Sequence, residues 1–248
     1  MNPASRPTRD GCPTGSVLSG GWDLASTTPG ACVDAAAAVA AGLAWVPAVV
    51  PGTVAASLCA DVTTEGRHDA SDWWYRCSFD ATADAHALRF EGLATVAEVW
   101  LNGERVLDAR NMFRPHAVDV AERLRPRNEL IVCLRSLDQA LAARRPRPRW
   151  KTALVPSQNL RFERTTLLGR MPGWNPPVQP VGLWQPVVLE GRGPVGELVL
   201  DVQARVEGRD GVVAVRSTFD GPLPSAARVR VGDTEAALSV TADGLSGE

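Results

Sequence analysis

Apolar and polar residues alternate with a period of two through the middle of the chain. Trp73, Tyr75, Cys77 and Phe79 interleave with Trp74, Arg76 and Ser78, the pattern of a strand with one face against a core. Leu88 and Phe90 alternate with Arg89 and Glu91. Ala97, Val99 and Leu101 alternate with Glu98, Trp100 and Asn102. Asn102-Gly103 then supplies the two positive-φ positions of a tight hairpin, with Val106 and Leu107 on the return strand. Ala117–Val120 and Leu130–Leu134 follow, the second apolar without interruption and so expected to be covered on both faces. Trp184–Glu190 reads as a closing strand. Many short strands separated by turn residues predict an all-β sandwich.

Two stretches break this rhythm. Val50–Val54 leads into Ala55–Ala60, which predicts a short helix with Pro51 near its first turn. Between Leu137 and Gly182 the alternation lapses, apart from Leu160–Leu168, which reads as a strand. Gly169-Arg-Met-Pro-Gly-Trp-Asn-Pro-Pro177 follows as a loop, and so long an irregular stretch in a compact domain points to function. Gly191–Gly196 reads as a linker. Beyond it Leu198, Leu200, Val202, Ala204 and Val206 alternate strictly, and Val213/Val215 and Val229/Val231 belong to further strands. About four strands are expected there, against about 7 in a complete immunoglobulin-like sandwich. The predicted organisation is a leader over 1–19, a sandwich over 20–191 and a second, partial sandwich over 197–248.

Composition narrows the function classes. The 248 residues are 45% hydrophobic and 22% charged, ordinary for a packed globular chain. The net charge of −2 lacks the basic excess of a nucleic-acid binder. One local exception runs Arg144-Arg145-Pro-Arg147-Pro-Arg149-Trp150-Lys151; its prolines and the balanced charge elsewhere favour a solvated loop or an interdomain contact over phosphate binding. The five cysteines show no C-x-x-C and no zinc spacing, and His68, His86 and His116 are scattered, so no metal and no cofactor are expected. The first residues hold no apolar core of a signal peptide. The run Ala35–Val50 is broken by Gly42 and Pro47 and is too short to span a membrane. A reduced, cytoplasmic protein is the expectation.

Several segments together resemble the family 2 glycoside hydrolases, especially their β-mannosidase-like members. They are VPGTV (Val50–Val54), DWWYR (Asp72–Arg76), FEGLATVAEVWLNG (Phe90–Gly103), NMFRPHAVDV (Asn111–Val120) and GLWQPVVLE (Gly182–Glu190). The resemblance implies a jelly-roll (galactose-binding-like) β-sandwich, then an immunoglobulin-like β-sandwich, then a barrel carrying two catalytic glutamates. No barrel is present here, so no residue inherits a catalytic role, and this chain alone is expected to be inactive. Asn128-Glu129 spells the pair in which the family's acid/base sits, but its setting is a turn leading into a strand.

What the resemblance implies for this chain is a share in the sugar pocket. In the β-mannosidase-like members a Trp- and Asp-bearing loop before the G-L-W strand reaches toward the sugar, and Gly173–Pro177 matches it. Trp174 would stack on a sugar's apolar face and Asn175 would donate to and accept from hydroxyls, although the family's aspartate is absent. The other reading, a lid of Trp174 over the sandwich core, stays open. Arg164, with Arg161, is a candidate for binding a sugar or a barrel carboxylate, unless both are outward positions of a strand. Trp74, opposite in phase to Tyr75 and Phe79, is the candidate aromatic platform. The expected partners are a β-linked, mannoside-like saccharide and the C-terminal catalytic barrel, with no nucleic acid and no membrane; self-association stays open. A free-standing carbohydrate-binding module or a structural sandwich is the alternative.

Overall fold

The computed structural model describes residues 15–58, 67–146, 149–191, 197–220, 223–241 and 244–247. The chain divides into two compact units at Glu190/Gly191. Cys12, Cys59, Arg147 and most of the expected leader and linker lie outside the described residues.

In the first unit the predicted alternation becomes two stacked sheets. One has the order β1 (Gly15–Val17), β10 (Val187–Gly191), β5 (Ala85–Phe90) and β8 (His116–Asp119). The other runs β3 (Val46–Pro47), β2 (Trp22–Thr27), β4 (Asp72–Asp80), β9 (Arg127–Leu134), β6 (Ala97–Leu101) and β7 (Glu104–Ala109). Trp22, Leu24, Tyr75, Val99, Leu101 and Val132 from the six-stranded sheet meet Leu88, Phe90, Val187 and Leu189 from the four-stranded one in a single core. This is the expected jelly-roll sandwich. At the β6–β7 hairpin Asn102 and Gly103 have φ of 53° and 86°, as the Asn-Gly pair predicts.

The six-stranded sheet is covered on its second face as well. Helix α1 (Ala35–Ala40), capped by Asp34, lays Ala35 and Ala38 on Trp74, Trp100, Ile131 and Cys133. That explains the continuous apolar run Leu130–Leu134, whose members are all buried. Cys77 and Cys133 behave as small hydrophobes, and burial, with Asp23 nearby, pushes the Cys77 thiol up to about 11.

The structure corrects several expectations. Residues 15–17 of the expected leader form β1, paired with Val188–Glu190; they contribute backbone to a sheet edge, so their side chains carry no alternation. Leu160–Leu168 is not a strand. Ser157 caps a 3-10 turn over Gln158–Phe162, and only a single bridge joins Arg164 to Asn111. The closing strand begins at Val187, because Pro186 has no N–H to give and Trp184 turns aside to donate its indole N–H to the Met112 carbonyl at 3.0 Å. The short helix is α2, Val54–Ser57, capped by Thr53.

Among the described residues the second unit forms one sheet of five strands: β11 (Glu197–Glu207), β12 (Asp210–Asp220), β15 (Gly244–Gly247), β14 (Thr234–Val240) and β13 (Ala227–Val231). Register places Leu200, Val202 and Val206 on the face that carries Val215 and Leu245, and Val240 joins them through its pairing with Leu245. Val215 and Leu245 are buried, yet Leu200, Val202 and Val206 are 56%, 53% and 79% exposed. Such an uncovered apolar row invites association. Sedimentation velocity of the 248-residue chain is therefore expected to show concentration-dependent self-association that Val202→Lys suppresses, whereas residues 15–191 alone stay monomeric.

Candidate functional site

The irregular segment after β9 is held down by a few polar contacts rather than by a ladder. Helix α3 (Leu137–Leu141) starts at Ser136, whose hydroxyl caps Gln139 and also donates to the Asp69 carbonyl at 2.7 Å. The Arg170 guanidinium grips the Asp69 carboxylate through two hydrogen bonds of 2.6 Å, with both residues only 6% exposed. Gln179 accepts from the His68 amide at 2.9 Å and donates to the Gly169 carbonyl at 3.2 Å. Thr165 and Thr95 share a 2.6 Å hydrogen bond, and the Met112 amide donates to the Arg164 carbonyl at 3.0 Å. The Asp69, His68, Thr95 and Met112 ties reach back to the start of β4 or to the β5–β6 and β7–β8 connections.

Residues 169–178 close on themselves. Gly169 adopts a φ of +73°, and a Cβ there would lie 2.1 Å from the Val178 carbonyl oxygen, so only glycine fits. Its amide donates to Asn175 Oδ1 at 2.8 Å. Gly173, at φ +82°, lets the chain turn, and the Trp174 amide donates to the Met171 carbonyl at 3.1 Å. At that turn the Trp174 side chain is 72% exposed. It is no lid over the core.

The other candidates separate. Asn175 spends its carbonyl oxygen inside the loop, which leaves its NH₂ group as the part able to meet a hydroxyl. Arg164 is exposed, its backbone bridged to Asn111, and no described contact joins its side chain to Trp174. Trp74 is a correction. It is fully buried, stacked on Trp100 at 5.7 Å and covered by Arg135 at 5.1 Å, because the face opposite the core is itself packed under α1. Arg161 projects from a 3-10 turn, not from a strand. Glu129 is zipped into β9, and the buried Asn128 amide locks the turn before it by pairing with Arg125. Sequence reasoning missed Arg170, Asp69 and Gln179. Nothing in local periodicity marks partners that are 101 residues apart.

The loop can stack and donate hydrogen bonds, and it brings no carboxylate of its own. The segments that prompted the family resemblance converge on one another. The Gly52 and Val54 amides donate to the Leu183 and Val181 carbonyls at 2.8 Å each, and the Ala94 amide donates to the Gly182 carbonyl at 3.0 Å. Gly92 has no side chain because the Trp184 indole occupies that space: a Cβ would lie 2.5 Å from its nitrogen.

Residues 22–185 match the family model of the glycosyl hydrolase 2 galactose-binding domain-like domain. The chain belongs to glycoside hydrolase family 2. Among its family 2 relatives, β-mannosidase B of Thermothelomyces thermophilus is 31% identical over 131 residues, covering 48% of this chain and 15% of that protein. A β-mannosidase B of Aspergillus terreus is 26% identical over 168 residues, covering 59% and 20%. The chain thus spans no more than about a fifth of these relatives. In fold it is similar to the β-D-mannosidase of Dictyoglomus thermophilum, with a TM-score of 0.67 at 24% identity over 83% of this chain and 26% of that one. A Ruminococcus gnavus β-glucuronidase aligns with a TM-score of 0.59 at 18% identity, over 98% and 39%.

Two predictions follow from the ties at the start of β4. Arg170→Met leaves the buried Asp69 carboxylate without its partner and is expected to cost about 3–5 kcal/mol in urea denaturation; adding Asp69→Leu should recover most of that loss. The second concerns pH. The His68 ring is buried edge-on to Trp73 at 5.7 Å with Nε2 unbonded, and burial holds its pKa below the usual 6.5 against the pull of Asp69. Burial, with Arg114 nearby, also lowers His116. Near pH 6.5 the unfolded chain therefore binds more protons than the folded one, so stability is full above that pH and falls below it. Thermal melts between about pH 7.5 and 5.5 (one unit either side of the ordinary histidine value) should show Tm falling on acidification, and the fall should be smaller in His68→Gln.

Proposed function

We propose that this chain is the N-terminal, non-catalytic part of a retaining exo-β-glycosidase of the β-mannosidase type. In that reading its Gly169–Val178 loop helps shape the pocket in which an O-glycosidic bond is cleaved. Such cleavage uses two carboxylates about 5–5.5 Å apart, which a catalytic barrel outside these residues supplies. The observation that carries the reading is Trp174: a large aromatic ring exposed at the turn of a loop closed by Gly169 and Asn175 and anchored by Arg170 and Gln179. An indole held in water on a rigid support suits the apolar face of a sugar. The Asn175 NH₂, next along the chain, provides donors to hydroxyls, and Arg164 is the candidate cation for a hydroxyl or a barrel carboxylate. The names of the relatives, β-mannosidases and a mannosylglycoprotein endo-β-mannosidase of Lilium longiflorum matched over 11% of its length, support a β-mannoside as the substrate class. The buried thiols Cys32, Cys77 and Cys133 suit a reduced, cytoplasmic setting.

In the enzyme that joins this chain to its barrel, Trp174→Ala is expected to lower kcat/KM on aryl β-mannosides about tenfold, the scale of one lost stacking contact, with Tm unchanged. The 248-residue chain alone should show no turnover. A variant that loses thermal stability but keeps normal kinetics per folded molecule would make Trp174 structural and overturn the reading.

A further inference from the structure

A second exposed cluster lies outside this loop, on the segment that leads to it. The Arg161 guanidinium sits 4.7 Å from the Trp150 ring centroid, and that of Arg145 sits 5.7 Å from Phe162. Trp150 is 65% exposed and Phe162 42%, so each ring has one face under a cation and much of the rest in water. The arrangement is built rather than incidental. Gln158 Oε1 accepts from Arg161 at 2.9 Å and from the Thr152 amide at 3.1 Å, while Gln158 Nε2 donates to the Thr152 carbonyl at 2.8 Å. These bonds hold the Trp150 strand of chain against the Arg161 turn.

The charges here are one-sided. Between residues 142 and 178 every charged side chain except Glu163 is basic, in a chain whose net charge is −2. The Glu163 side chain is buried, accepts from Arg110 at 2.7 Å and lies 3.7 Å from the Arg145 guanidinium. Arg144, Arg149 and Lys151 are exposed and form no ion pair among the described residues. Like charges crowded into one short stretch of chain repel one another, and an anion relieves that repulsion.

We propose that this face binds an anionic saccharide chain, one whose sugar rings carry carboxylates. The carboxylates answer the guanidinium groups, which accept them in a two-pronged geometry. The open edges and faces of Trp150 and Phe162 answer the apolar face of a sugar ring. An uncharged saccharide leaves the cations unanswered, and a simple anion leaves the rings unanswered. A nucleic acid offers both phosphates and flat bases, but the net charge of −2 lacks the basic excess of a nucleic-acid binder, and an oligothymidylate probe decides between the two.

The test is titration of the 248-residue chain with a short oligogalacturonate, an uncharged mannooligosaccharide and an oligothymidylate. The expected result is saturable binding of the oligogalacturonate that weakens as salt is added, with little binding of the mannooligosaccharide. Trp150→Ala should weaken it about tenfold, the loss of one stacked ring, and Arg149→Gln with Lys151→Gln should flatten its salt dependence. Because those side chains are exposed, Tm should not move; if Trp150→Ala does lower it, the double charge variant decides, and unchanged binding there overturns the proposal. Binding that survives Trp150→Ala in a folded protein, equal binding of the mannooligosaccharide, tighter binding of the oligothymidylate, or no binding of any probe also overturns it. Trp174→Ala should leave oligogalacturonate binding intact, which separates this surface from the loop at Gly169–Val178; loss of binding in that variant would move the site to the loop.

Discussion

A sheet packed on both faces leaves no water for the polar groups at its strand ends, and the segment His68–Asp72 meets that constraint for the whole first unit. Asp72 is fully buried, and its carboxylate accepts from the Ser136 amide at 2.7 Å, the Gly30 amide at 3.0 Å and Arg135 at 2.9 Å. Arg135 in turn donates to the Cys32 and Val33 carbonyls, at 2.7 and 2.8 Å, and so holds the approach to α1 over Trp74. Three residues earlier, Asp69 performs the same service for the irregular segment through Arg170. Two buried carboxylates at the start of one strand thus fix the helix that covers the sheet and the loop that carries the exposed indole. A buried charge is tolerated only when its partners are all in place, so these contacts are all-or-none, and the loop inherits the rigidity of the sandwich.

That rigidity has a chemical consequence. A flexible loop bearing a tryptophan would fold its ring back onto the protein surface to escape water. Here Gly169 and Asn175 close the loop, and Arg170 and Gln179 anchor it, so the ring is held out. For the sugar contact proposed above, the ordering cost is met during folding instead of on binding, which is how affinity is gained from few contacts. The contact between Trp150 and Arg161 is organised in the same way, by Gln158, which bonds both Thr152 and Arg161.

The two units also differ in how they treat apolar surface. The first encloses Trp22, Tyr75, Phe90 and their neighbours between sheets and adds a second small core beneath α1. The second unit is a single layer, in which Val215 and Leu245 are covered while Leu200, Val202 and Val206 are not. An amphipathic sheet of this kind is half of a sandwich in physical terms, whatever comes to cover it.

Local pattern determined most of the strands. The period of two placed β4, β5, β6 and β11, and the unbroken run at Leu130–Leu134 announced a strand covered on both sides. Asn102-Gly103 announced the hairpin, since only residues tolerant of positive φ suit that turn. These features are legible because they depend on neighbours one to four positions away. The family resemblance was legible for a related reason: its segments meet in space, so Gly92 is constrained by Trp184 and Gly182 by Gly52 and Thr53, each from another of those segments. Tertiary structure alone decided the rest. Trp74 and Trp73 look alike in sequence, and only the packing of α1 reveals that both faces of the sheet are dry. Leu160–Leu168 has a strand's composition but no strand beside it, so the Ser157 cap and the Glu163–Arg110 pair settle its conformation. Residues 15–17 became a strand because a sheet edge needed backbone partners, which side-chain pattern does not record. Arg170 and Asp69 met across 101 positions of sequence, and no short-range rule can bring together charges whose attraction matters only once the fold has removed the water between them.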